Sequence, residues 1–218
     1  RRHLRELKAV AASGKPTYID KPFAASLADA KEMVKLIKQH KLPCFSASSL
    51  RFDSAFQEVL ANREAKFGKI IGVDAYGPAH LEKSNPGLFW YGIHGVEILY
   101  TLMGRGCKSV SSTVTPDSEV NIGIWSDGRL GTMRGIRGEK DSAHAQSGYG
   151  AMILSEKAPP TALPIKGDYY TKLVDAMVKF FKTKEPPVNI DETLEICAFI
   201  DAAMKSAKQD CDDIKLEV

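Results

Sequence analysis

The sequence predicts an α+β chain: a mainly antiparallel open sheet with helices on one face, preceded by the last βα units of a truncated, doubly wound parallel domain. Three observations carry this. The first 48 residues alternate amphipathic helix with short apolar strand, the pattern of a parallel sheet and its crossovers. After Gly68 the character changes to strand-length runs joined by tight turns. Two helix-length segments then follow a stretch punctuated by prolines.

The elements follow in order. A helix to about Ser13 places Leu4, Leu7 and Val10 on one face, with Gly14 as its C-cap. The run 16–20, PTYID, reads as a strand. Ser26 caps a second helix that aligns Leu27, Ala30, Val34, Leu36 and Ile37, and a second strand covers 43–47. Asp53 caps a helix through Phe56, Val59 and Leu60. From Lys69 to Tyr76, strict alternation would put Ile71, Val73 and Ala75 on one face of a strand and Ile70, Gly72 and Asp74 on the other. Residues 87–104, GLFWYGIHGVEILYTLMG, form an apolar helix inserted between the first strand and those that follow.

Strands recur between Lys108 and Ser155. The clearest signal is a hairpin in which Val120, Ile122 and Ile124 alternate with other residues before Ser126-Asp127-Gly128 turns the chain into Leu130 to Ile136. Pro159, Pro160 and Pro164 mark a loop, and helices over Asp168 to Thr183 and Asp191 to Lys208 close the chain. The domain division expected is 1–48 and 49–218. Apolar residues on both faces, as at Ile70/Ile71 and Val120/Trp125, leave one face for a second copy of the chain.

Composition narrows the function classes. With 44% hydrophobic and 26% charged residues, 218 residues make an ordinary globular protein. The net charge of +3 comes from lysines and arginines interleaved with acids, so nucleic acid is not an expected partner. The densest basic run, Arg1, Arg2, Arg5 and Lys8, reads as a solvated helix face. Cys44, Cys107, Cys197 and Cys211 are scattered, which suggests neither a zinc site nor a disulfide framework and fits a cytoplasmic protein. The run Leu88 to Met103 is interrupted by His94 and Glu97 and falls short of the ~20 residues of a membrane span, so no membrane partner is expected. No signal peptide is visible, yet the chain opens inside a helix pattern without methionine or N-cap. The true start is expected upstream, and an export signal there stays open.

Two residues stand out for chemistry. His94 is the single histidine in the first turns of an otherwise apolar helix, flanked by Gly92 and Gly95, which should leave room around it. Such an imidazole either satisfies a core hydrogen bond or faces a cavity. Lys21 ends a strand of an α/β unit, where such folds bind ligands. A neutral imidazole is a suitable acceptor for a hydroxyl proton, and a cation beside a developing alkoxide stabilises it. His94 and Glu97 as a metal pair have no further ligands to support them, so no metal is expected.

The motif YIDKP, Tyr18 to Pro22, is similar to the strand-Glu-Lys-Pro motif of the Gfo/Idh/MocA oxidoreductases, with Asp20 in place of the glutamate. GLFWYGIHGVEIL resembles that family's glycine-rich helix start ending in Gly-x-His, and the spacing of the two motifs also matches. The resemblance implies an N-terminal Rossmann domain that binds NAD or NADP, of which residues 1–48 would be the C-terminal part. It implies that 49–218 form the substrate-binding and oligomerisation domain, a homo-oligomer forming through the sheet face. The implied reaction is hydride transfer between nicotinamide and a secondary alcohol or ketone of a sugar or polyol. By match of position, Lys21 would hydrogen-bond the reacting oxygen and His94 would serve as general acid/base. Asp20, Lys21 and Pro22 would lie against the cofactor, with Pro22 in the cis bond frequent in the family.

Two departures from the family pattern matter. Trp90 stands where many members carry an aspartate four residues before the histidine, leaving Glu97 or Tyr91 as possible accessory groups. No GxGxxG follows a strand at the start; Gly104-Arg105-Gly106 and Gly148-Tyr149-Gly150 lie in the wrong context. The chain alone is therefore expected to be inactive and to bind NAD weakly. The alternatives are a non-catalytic or redox-cycling member whose sheet serves dimerisation or binding, and an NAD-dependent glycosidase. Arg51, Lys83, Asn85 and Tyr169 are polar residues near the motifs and read as ordinary surface groups.

Overall fold

The computed structural model describes residues 2–83, 85–138 and 148–218. Arg1 of the basic run, and the part of the Lys108 to Ser155 stretch between 139 and 147, lie outside them. Helix α1, Arg2–Val10, tightens into a 3₁₀ turn and stops at Gly14, whose φ of 65° closes the C-cap. Strand β1, Thr17–Ile19, then leads through Ser26, which accepts a hydrogen bond from the Asp29 amide, into α2, Leu27–Gln39. Strand β2, Cys44–Ser46, lies parallel to β1 with Thr17 opposite Cys44. The alternation expected of the first 48 residues is observed.

Helix α3, Ser54–Ala61, is capped by Asp53 as its sequence indicates. The strands that follow are β3 (Ile70–Pro78), β4 (Cys107–Val114), β5 (Ser118–Trp125), β6 (Leu130–Ile136), β7 (Gly150–Ser155), β8 (Thr161–Pro164) and β9 (Ile214–Lys215). Among the described residues they form one seven-stranded sheet in the order β8-β7-β3-β6-β5-β4-β9. Every neighbouring pair is antiparallel except β3 and β6, which run parallel. Helix α4, Ile93–Met103, packs on β3 and β6, and α6, Ile190–Ser206, packs on β4. Helix α5, Tyr169–Thr183, instead joins β2 through an edge contact between Phe180 and Phe45 at 4.9 Å.

Packing against α4 and α6 decides which residues may be small. A Cβ on Gly123 would meet Phe199 and Trp125 at 2.8 Å, and one on Gly131 would meet Leu99 at 2.9 Å and Trp125 at 3.0 Å. Both glycines give the Trp125 ring its place. It is 1% exposed, with Nε1 donating to the Gly104 carbonyl at 2.9 Å. The opposite face of the sheet presents Ile71, Ile122, Ile124, Leu130, Met152 and Leu154 to the surface.

Four expectations are corrected. The register of β3 against β7 shifts between Ile70 and Gly72, so Ile70 points inward with Val73 and Ala75 while Ile71 lies outside; the bulge resets strict alternation. The proline-marked loop contains β8, an edge strand on which Pro164 needs no ladder donor on its free side. A short β9 after α6 adds the other edge, which no periodicity of two residues could signal. Gly92 and Gly95 do not open space around His94: a Cβ on the first would strike Leu88 at 2.3 Å and on the second Met133 at 2.7 Å. They let the start of α4 pack closely.

Candidate active site

Lys21 leaves the carboxyl end of β1 and is joined to Pro22 by a cis bond. Its half-buried ammonium stands 5.3 Å from the ring centre of Trp90 and 5.4 Å from that of Tyr91, within cation–π range. Burial lowers the lysine pKa, and the charge of Asp20 opposes this in part. Asp20 itself is exposed and accepts a hydrogen bond from the Tyr18 hydroxyl at 3.2 Å.

His94 is the second residue of α4. The imidazole lies between the rings of Tyr149, at 5.4 Å, and Tyr91, at 6.0 Å. The Tyr149 ring reaches it because Gly77 has no Cβ; one there would stand 2.2 Å from that ring. Burial first, and then the Lys21 charge, push the His94 pKa down to about 3. The ring is therefore neutral at ordinary pH. Lysine and histidine come from different elements and act on each other electrostatically.

Behind His94 lies a polar network absent from the sequence reading. Its Nδ1 is 2.6 Å from Oγ of Ser48, a residue with no exposed surface just beyond β2. The same Oγ accepts from the Leu50 amide at 3.2 Å, and the Ser48 amide donates to Glu97 at 3.1 Å. Glu97 is 2% exposed and accepts from Arg51 Nε at 2.9 Å. Arg51 Nη2 also lies 2.7 Å from Glu192 Oε1, an ion pair whose angle misses hydrogen-bond geometry. Burial raises the Glu97 pKa, while Arg51 and the Ser48 amide pull against it. Burial opposes the Arg51 charge, but its two carboxylate partners outweigh it and raise its pKa.

Each candidate residue has a definite place. Lys21 and His94 both lie against the Tyr91 ring, and the lysine charge acts on the imidazole. Glu97 does not touch the imidazole; three residues along the helix its carboxylate turns to Arg51, so it reaches His94 only by way of Ser48. Arg51, expected at the surface, is 8% exposed within that network. Trp90 belongs to the turn before α4, and its ring lies near the Lys21 ammonium instead of beside His94 as an acid would. Lys83 and Asn85 line an open cleft of about 880 Å³ with Lys21, Pro22 and Ser26. Among the described residues, no group of three or more His, Cys, Asp or Glu could hold a metal ion. No described helix is long and apolar enough to cross a membrane.

Sequence reasoning missed Ser48 and Tyr149 as neighbours of His94 and His80 as a neighbour of Tyr91. A signal did exist for Ser48, which follows the carboxyl end of β2 as Lys21 follows that of β1. His80, whose ring is 5.3 Å from Tyr91, had none.

No family model matches the chain. An uncharacterized oxidoreductase of Escherichia coli K12, YhhX, is 32% identical over 132 residues, a match that spans 53% of this chain and 38% of the relative. The matched part of the chain thus spans less than half the length of that relative. Among solved structures, an NAD binding oxidoreductase from Klebsiella pneumoniae matches 99% of the chain at a TM-score of 0.79 and 13% identity, with 77% of its own length covered. The Lactobacillus casei myo-inositol dehydrogenase, solved with NAD(H) and myo-inositol, matches 99% at 0.78 and 15% identity, with 75% of its length covered. The WlbA dehydrogenase of Bordetella pertussis, solved with NADH and UDP-GlcNAcA, matches 99% at 0.77 and 19% identity, with 76% covered. The chain therefore has the fold of the Gfo/Idh/MocA-type dehydrogenases, the family its two motifs resemble.

Proposed function

We propose that the chain carries the substrate side of an NAD(P)-dependent oxidoreductase that moves hydride between nicotinamide and a secondary alcohol or ketone of a sugar or polyol. The observation that carries this reading is the pairing of a partly desolvated Lys21 ammonium with a neutral His94 imidazole among the rings of Trp90, Tyr91 and Tyr149. Lys21 hydrogen-bonds the reacting oxygen and stabilises negative charge there. His94 exchanges the hydroxyl proton through the ring nitrogen not engaged by Ser48. Trp90, Tyr91 and Tyr149 exclude water and offer apolar faces to the C–H bonds of a carbohydrate ring.

The residues in hand suit the nicotinamide end of such a cofactor. Lys21 and Pro22 end β1 beside the cleft, where ligands of parallel sheets bind, and that cleft lies at the start of α2. A bound nicotinamide supplies the hydride donor or acceptor. We assign residues 1–48 to the C-terminal part of a Rossmann domain and 49–218 to the substrate domain. The support is the two-stranded parallel sheet, in which β1 pairs on one side only, and the resemblance of its exit motif. We further assign the apolar outer face of the seven-stranded sheet to contact with a second copy.

Turnover tests the reading. In the enzyme containing a complete nucleotide site, assayed with NAD and NADP against a panel of polyols and sugars including myo-inositol, His94→Ala should lower kcat ~10²-fold or more. Cofactor affinity should stay nearly unchanged, and Lys21→Ala should also reduce turnover. Unaltered turnover in His94→Ala would remove the proposed chemistry. For the 218-residue chain alone, weak or undetectable NAD binding by calorimetry is expected. A dissociation constant near 1 μM, ~8 kcal/mol, would overturn the split nucleotide site.

A further inference from the structure

We propose that Ser48 is a positioning residue that sets the tautomer of His94: its hydroxyl donates to Nδ1, so the resting imidazole carries its proton on Nε2 and keeps that N–H for a ligand. The functional use of this tautomer rests on the oxidoreductase reading above; the tautomer itself does not.

Counting donors and acceptors leads to the assignment. A serine hydroxyl has one proton to give and two lone pairs. The Leu50 amide occupies one lone pair at 3.2 Å. Ser48 has no exposed surface, so its proton needs a protein acceptor, and among the described residues the acceptor it meets is Nδ1 at 2.6 Å. The reverse arrangement, Nδ1–H donating to Oγ, would leave that buried hydroxyl proton unpaired, which costs more than the bond is worth. The Ser48 amide, tied to Glu97, fixes the residue so that its side chain cannot follow the imidazole away. Nε2 has no protein partner among the described residues.

The chemistry differs from that of a histidine held by a carboxylate. A carboxylate only accepts, so it holds Nδ1–H and raises the imidazole pKa. A hydroxyl can do either. In the resting form Nε2–H donates to a ketone oxygen beside the Lys21 ammonium. When the ring exchanges its proton with solvent and the hydroxyl turns, Nδ1–H donates to Oγ and bare Nε2 can take the proton of an alcohol. Loss of that proton would let the carbinol carbon give up its hydride, with the C–H electron pair, to a bound nicotinamide as the carbonyl forms. Serine thus leaves both tautomers open: a proton taken at Nε2 while Nδ1 is protonated makes the ring a transient imidazolium, which releases one proton to solvent to regain the neutral form.

The test is ¹⁵N NMR of the 218-residue chain labelled at histidine, with the His94 signals identified by their loss in His94→Gln. At pH 7 the expected spectrum has a pyridine-like Nδ1 and a pyrrole-like Nε2, in a ratio of roughly tenfold or more for one net hydrogen bond. Ser48→Ala should bring the ratio down about five- to tenfold. A predominantly Nδ1–H wild-type ring, or an unchanged ratio in Ser48→Ala, overturns the assignment. If Ser48→Ala does not fold, the wild-type spectrum decides alone. Full turnover in His94→Ala would sink the oxidoreductase role and leave this tautomer intact, so the two failures are distinguishable.

Discussion

The two sheets of this molecule contrast in how completely each satisfies its own strands. The parallel pair, β1 and β2, has three residues in each strand and pairs on one side of each. The seven-stranded sheet runs from edge to edge and is roofed by α4 and α6. Lys21 leaves the first and His94 rises from the roof of the second, while Ser48 leads out of the first to meet His94. The candidate site therefore draws its imidazole from the roof of the larger sheet, and its ammonium and the serine that holds the imidazole from the ends of the smaller. That is a common division between rigid scaffold and adaptable binding edge.

The largest blow to the scaffold should come from Trp125→Ala. The ring is buried against Gly123, Gly131 and Tyr100, so its loss leaves a cavity and should cost ~3–5 kcal/mol by chemical denaturation. A cost below about 1 kcal/mol would mean that β5 and β6 do not grip the roof as described. Of similar size is Arg51→Ala, which strands the Glu97 carboxylate in the interior and should cost ~3–5 kcal/mol near neutral pH. The double variant Arg51→Ala with Glu97→Gln should recover part of this, since only Glu192, less buried than Glu97, is then left without its cation. A second loss in the double variant as large as the first would show that the pair is not coupled.

Next in size is a pH effect confined to the seam between the sheets. The folded His94 pKa, about 3, lies below the ordinary value of 6.5. Between those values the unfolded state binds a proton that the folded state refuses, so stability rises with pH across the window and is lost as pH falls through it. The slope from this one group is at most ~1.4 kcal/mol per pH unit. His94→Gln should flatten the curve between pH 6.5 and pH 3 relative to wild type, as read from denaturation midpoints at each pH. Parallel curves for the two proteins would place the imidazole in contact with solvent and refute its desolvation.

The smallest effect sharpens the comparison from outside. Ile122 lies on the uncovered face, so Ile122→Lys should alter monomer stability by less than about 0.5 kcal/mol. If that face binds a second copy, the same change should shift sedimentation from dimer to monomer at micromolar concentration. Wild-type protein that sediments as a monomer under those conditions would argue against the interface.

Lys21 and His94 were legible because local rules reach them: a strand that ends in lysine-proline, and a single histidine in an apolar helix. Their convergence was not derivable from spacing alone; the resemblance supplied it. Glu97 was singled out for the right proximity and the wrong partner. Three residues along a helix brings two side chains to neighbouring faces, but the carboxylate follows the strongest buried cation, and Arg51 lies 46 positions away. Arg51 was misread because a charged residue beside a motif is ordinarily exposed.

The sequence by itself determined the order of helices and strands apart from the edge strands β8 and β9, the caps at Ser26, Asp53 and Gly14, the change from parallel to antiparallel organisation, and the two chemical groups worth watching. These rest on interactions within a few residues, where backbone conformation and side-chain periodicity leave few choices. Only the tertiary structure decided that Ser48 holds His94, that Trp90 lies by Lys21, that Gly77 makes way for Tyr149, and that a bulge turns Ile71 outward. Each depends on atoms from distant segments arriving within a few ångströms. Close packing fixes that only when the whole core has formed.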